Sequence, residues 1–80
     1  MHQLAYNRHM EKEHISIFAH NLKNLIGEQS VYEFAKKVGI NHQTLFRYLH
    51  CQRVVSLGNL IKIADYFHED LDFLVGRKDY

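Results

Sequence analysis

Five basic residues, Lys36, Lys37, Arg47, Arg53 and Lys62, fall in the stretch 34–64, which contains no Asp or Glu. On either side the balance reverses. Residues 1–33 carry three Lys or Arg against four acids, and from residue 65 onward Asp65, Glu69, Asp70, Asp72 and Asp79 outnumber Arg77 and Lys78. A formal net charge of +1 therefore conceals one cationic segment. A cationic face on a nearly neutral protein is the electrostatic footprint of a polyanion partner. A solvated helix surface gives the same charge count, so the block alone does not fix the partner.

Other chemistries are poorly supplied. The seven histidines stand at 2, 9, 14, 20, 42, 50 and 68, and Cys51 is the only thiol. His50 and Cys51 together offer two ligands where a structural zinc needs four, so no metal site and no cofactor is expected. No Ser-His-Asp or Cys-His arrangement sits on a recognisable catalytic scaffold and no glycine-rich loop follows a strand, so the chain reads as non-enzymatic. One cysteine cannot form an internal disulfide, which favours a reducing, cytoplasmic setting. No window approaches the roughly 18–20 apolar residues of a membrane span, and no positive segment leads into an apolar one at the N-terminus. Neither a membrane nor a small-molecule ligand is expected as a partner.

The elements that must position the basic block come from 80 residues, of which 46% are hydrophobic and 24% charged. That is globular composition, and a chain of this mass buries roughly 63% of its unfolded surface, enough for one modest core and one domain. There is no proline and there are four glycines, while apolar residues recur at spacings of three and four, which predicts helices throughout. Phe18, Leu22, Leu25 and Ile26 stripe a first helix from about Ser16 to Ile26, stopped by Gly27. Ser30-Val31-Tyr32-Glu33 is a capping box that opens a second helix, with Phe34, Ala35 and Val38 inward and Gly39 at its end. Asn41 caps a third helix through about His50, with Leu45, Tyr48 and Leu49 inward. Ser56 caps a fourth, striped by Leu57, Leu60, Ile61, Ala64 and Phe67, and Asp70 caps a fifth containing Leu71, Phe73 and Leu74 before Gly76. Residues 1–14 lack clear periodicity and are read as a tail or a forward extension of the first helix, leaving 15–78 as the domain. His9-Met10 has the form of a cloning scar, so residues 1–9 are read as a candidate vector-derived leader.

Counted from Val31, small Ala35 is fifth, Gly39 ninth, and Phe34, Val38, Ile40, Leu45 and Tyr48 stand at positions four, eight, ten, fifteen and eighteen. Ala35 lets two helices approach closely, Gly39 permits the tight turn, and Ile40 and Leu45 anchor the second helix across the first, which is a helix-turn-helix. The spacing resembles the phage Cro and repressor type of helix-turn-helix domain, also called the xenobiotic-response-element type, over about residues 18 to 77. Ser56-Leu57 with Asn59-Leu60 and Ala64, and the ending Asp70-Leu71-Asp72-Phe73-Leu74-Val75-Gly76-Arg77, extend the match.

That resemblance implies an all-α, five-helix, lambda-repressor-like fold whose third helix lies in the DNA major groove. It places His42, Gln43, Thr44 and Arg47 at base edges, where Gln pairs with adenine, Arg with guanine, and the Thr methyl meets thymine. Candidates for phosphate contact are Ser30, Tyr32, Lys36, Asn41, Gln52, Arg53 and Asn59. The implied function is a sequence-specific double-stranded DNA-binding transcriptional regulator, a repressor of phage, prophage or mobile-element type, acting as a homodimer on a near-palindromic operator. Two alternatives are an antitoxin of a toxin–antitoxin pair and a protein-interaction module that has lost DNA binding.

The sequence also departs from the family pattern. Val31 stands where relatives carry a phosphate-contacting Gln, Cys51 replaces the usual Gly after the recognition helix, and Val55 replaces the usual Pro before the fourth helix. The last two are expected to alter the 51–55 loop. The loop between helices one and two is about two residues short. With that gap, Ile26 and Leu49 take the places of a partly buried Arg–Glu pair, and are expected to be buried in mutual contact.

Overall fold

A computed structural model describes residues 3–77, with side chains from Lys12 to Arg77. Met1, His2 and residues 78–80, on which the outer ends of the expected tail and domain fall, lie outside the described residues. Five helices follow one another in order: α1 (Gln3–Ile26), α2 (Val31–Val38), α3 (His42–Leu49), α4 (Leu57–Phe67) and α5 (Leu71–Leu74). Among the described residues there is no strand, and the fold is the all-α, five-helix arrangement expected.

The first helix begins at Gln3 rather than near Ser16. Residues 1–26 contain neither glycine nor proline, so nothing stops the helix. An apolar stripe reports a packed face, whereas continuation needs only the absence of a breaker. Residues 3–14 are the N-terminal part of α1.

Every expected N-cap is present. The Ser30 hydroxyl accepts the Glu33 amide at 3.0 Å while Glu33 accepts the Ser30 amide at 3.4 Å. Asn41 accepts from Gln43, Ser56 from Asn59 and Asp70 from Asp72. Each carboxamide, hydroxyl or carboxylate satisfies a backbone N–H that the helix leaves without a partner.

The C-termini share a second device. In α3, α4 and α5 a residue in the left-handed conformation donates back to the helix while the next residue donates to the carbonyl one residue earlier, the double closure known as a Schellman motif. The long bonds are Gln52 N–H to the Arg47 carbonyl at 2.8 Å, Glu69 to Ala64 at 2.9 Å and Arg77 to Asp72 at 2.8 Å. Helix α2 closes likewise, with Gly39 and Ile40 both donating to Ala35. The left-handed residues are Gly27, Gly39 and Gly76, as glycine's freedom favours, but also Cys51 at φ 58° and His68 at φ 57°. At Cys51 the consequence of losing glycine is thus a strained residue within an ordinary helix closure.

The core gathers Phe18, Leu22 and Ile26 of α1, Phe34 and Ala35 of α2, Ile40 in the turn, Leu45 and Tyr48 of α3, Ile63 and Ala64 of α4, and Leu74 of α5. Phe34 stacks on Phe67 at 5.3 Å, and Phe18 meets Tyr48 edge-on at 5.9 Å, tying α1 to the inner face of α3. Along α4 the buried arc is Leu60, Ile63, Ala64 and Phe67. Leu57 and Ile61, expected inside, are 69% and 41% exposed. They sit four apart beside the arc, so the helix has a narrower packed face than its apolar content implies. Leu71, at the start of α5, is likewise exposed.

A polar seam joins α1 to the end of α5. The Asn21 amide donates to the Phe73 and Leu74 carbonyls, both at 3.1 Å, and His14 Nδ1 donates to the Val75 carbonyl. At Gly76 a Cβ atom would stand 2.6 Å from Ile17 Cδ1 and 2.9 Å from its Cγ2. Glycine is needed there twice, for φ 83° and for the close approach.

Candidate nucleic-acid interface

Helices α2 and α3 are held as one unit by the Gly39 turn. Ile40 points into the core, Ala35 is buried between the helices, and Lys62 of α4 donates from Nζ to the Gly39 carbonyl at 3.2 Å. With Leu45 and Tyr48 buried and Leu49 half-buried, the opposite side of α3 must face solvent. Gln43, Phe46, Arg47 and His50 are exposed there, and His42 and Thr44 are half-buried on its flanks. Gln43 and Arg47 are one turn apart on that face, and α3 contains no acid. The adenine-reading amide and the guanine-reading guanidinium expected from sequence are therefore presented together.

His42 is not a free imidazole. The Tyr32 ring of α2, itself 57% exposed, stacks on it with centroids 4.2 Å apart and planes 26° from parallel. Tyr32 thus positions a candidate base reader while remaining largely exposed itself. The pairing spans two helices and no sequence spacing announces it.

The phosphate candidates divide by what their polar atoms already do. Lys36, Gln52 and Arg53 are exposed. Ser30 and Asn41 serve as caps at the exposed N-termini of α2 and α3, where free backbone N–H groups favour anions. Asn59 is half-buried, and its amide donates to the buried Tyr48 hydroxyl at 2.9 Å, which anchors α4 to α3. Of the remaining basic residues, Lys37 donates to Gln29 at 3.3 Å and Lys62 to the turn, so two of the five cations of the basic block bond within the chain.

The departures at Ile26, Val31 and Leu49 converge in space. All three line one cleft of about 280 Å³, together with Lys23, Gly27, Gln29, Phe46 and His50. Ile26 is buried and Leu49 half-buried against the core. Ile26 and Leu49 place no ionisable group at these two positions, so neither carries the desolvation cost of a buried charge.

Phe46, exposed beside Gln43 and Arg47, joins this face although the family resemblance does not place it at a base edge. Its signal is its place three residues after Gln43 and one before Arg47, at the edge of the face that bears them and on the far side of the helix from Tyr48. Among the described residues no three His, Cys, Asp or Glu side chains cluster as a metal site, and no helix is long and apolar enough to cross a membrane.

A paired α2–α3 unit joined by a tight glycine turn, with the outer face of its second helix exposed and free of acids, defines a helix-turn-helix. The model of the helix-turn-helix family matches residues 29–74, more than half of the chain, and the protein belongs to that family in its Cro and C1 type. It is a DNA-binding helix-turn-helix regulator. Comparison with curated proteins and with solved structures found no match.

Proposed function

We propose that the protein is a repressor of phage or mobile-element type that covers a promoter by binding a specific double-stranded DNA sequence, and that it does so as a homodimer in the cytoplasm. Residues 15–78 form the binding domain. Helix α3 lies in the major groove with Gln43 and Arg47 as principal base readers, His42 and Thr44 beside them, and Lys36, Gln52, Arg53, Tyr32 and the N-terminal ends of α2 and α3 toward phosphates. The observation that carries this reading is the solvent face of α3. It offers Gln43 and Arg47 one turn apart, carries no acid, and rests on a helix whose two ends and inner face are fixed by caps and core packing.

The dimer follows from economy of specificity. One eight-residue helix reads few base pairs, each worth about 1–3 kcal/mol of discrimination, and two copies related by a two-fold axis double that number on a near-palindromic site. Half-sites about one helical turn apart match such a pair.

Selection of bound duplexes from a random pool tests the whole reading. A near-palindromic winner bound by two chains, with affinity falling steeply as salt rises, is the expected result. A winner without symmetry, or a complex of one chain per site at saturating protein, removes the dimer. Binding indifferent to sequence removes the specific regulator, and a salt slope near zero removes nucleic acid altogether.

A further inference from the structure

Phe46 is a large apolar side chain, 41% exposed, that joins Gln43, Arg47 and His50 on the exposed side of α3 and borders the cleft beside Leu49. Its ring is flanked by two imidazoles one turn away in each direction: His42 edge-on at 6.5 Å and His50 tilted at 6.4 Å. Both neighbours are held. His42 is stacked on Tyr32, and His50 Nδ1 donates to the Phe46 carbonyl at 2.8 Å. Because a carbonyl only accepts, that bond places the proton on Nδ1 of His50. The phenyl ring is thus fixed between ordered groups, and contact through it immobilises little further rotamer freedom.

A phenyl ring has no hydrogen bond to offer a base edge or a phosphate. In the major groove the one apolar feature that differs between base pairs is the C5-methyl group of thymine. Phe46 lies about 60° around α3 from Gln43, on the side away from Arg47, so a groove that receives those two side chains brings a base pair against the ring. We infer that Phe46 is a specificity-determining residue that recognises a thymine by packing on its C5-methyl group, next to the base pairs read by Gln43 and Arg47. The inference rests on the proposed docking of α3 in the major groove.

The test uses the unmodified protein and its selected duplex, with each thymine replaced in turn by deoxyuridine, which removes the methyl and leaves pairing intact. At one thymine per half-site affinity should fall about fourfold, the transfer value of one buried methyl. Phe46→Ala should bind the thymine duplex about fourfold more weakly and bind the thymine and deoxyuridine duplexes equally, completing a double-mutant cycle. Its selection at the Arg47 position should remain. Equal affinity of the unmodified protein for every deoxyuridine duplex overturns the inference while leaving the DNA reading intact, and so does a Phe46→Ala protein that still distinguishes the two duplexes. A protein that binds no duplex overturns both.

Discussion

Along the α1–α5 seam polar groups turn inward, whereas on α3 they turn outward. Asn21 and His14 cross from one helix to the carbonyls that close another, and Gly76 gives up its side chain so that Ile17 can pack against the backbone. On the exposed side of α3 His50 bonds to its own helix, and Gln43 and Arg47 extend from a surface whose order comes from below. The contrast teaches where each kind of substitution should be felt. Changes in the seam should alter stability and leave base preference alone, and changes on α3 should do the reverse.

The seam should break most sharply at its glycine. Gly76→Ala combines a non-glycine residue in the left-handed region with a Cβ inside Ile17, and should lower unfolding free energy by about 2–4 kcal/mol in urea denaturation. A loss under about 1 kcal/mol would show that Ile17 and the backbone yield easily. On the other face, Arg47→Ala should weaken the selected duplex by about 1–3 kcal/mol and relax one base pair, with the urea midpoint unchanged. Arg53→Ala, beyond the helix end, should weaken all sequences alike and lower the salt slope by about one. Unaltered base preferences after Arg47→Ala would mean that a different side of α3 meets DNA.

The smallest effect sits where the two regimes meet. Cys51 ends the recognition helix at φ 58° without being glycine, so Cys51→Gly should raise stability by about 1 kcal/mol by removing Cβ strain. Base preference should not change, since the closure bonds to Arg47 and Tyr48 belong to the backbone. A melting temperature below that of the parent would show that the thiol side chain contributes more than its strain costs.

Much of this was legible in the sequence because it is encoded locally. Ser30, Asn41, Ser56 and Asp70 each satisfy an amide two or three residues away, and a cap of that range is visible in a short window. Gly39 and Gly76 likewise announce a left-handed turn, but Cys51 and His68 take the same conformation because the surrounding backbone bonds demand it, and residue type gives no sign of that. Burial was readable only where the apolar stripe was narrow. On α4, with Leu57, Leu60, Ile61, Ile63, Ala64 and Phe67 spread around the helix, only the positions of α2 and α5 decide that Ile63 is inside and Leu57 and Ile61 are not. In the site, Gln43 and Arg47 followed from spacing. Phe46 carries no hydrogen-bonding group that spacing would mark as a base reader, and the Tyr32–His42 stack depends on two helices meeting.

The seam also bears on the order in which the chain folds. The bond from His14 to Val75 joins residues 61 apart in sequence, and those from Asn21 to Phe73 and Leu74 join residues 52 and 53 apart. Closing so long a loop carries an entropy penalty that the α2–α3 pair, joined by a turn of three residues, does not face. During synthesis the helix-turn-helix pair can therefore form early, whereas the clamp on α1 must wait until Gly76 has been added. A chain stopped short of Phe73 would retain the residues of the recognition surface and lack the fastening that joins the first helix to the last.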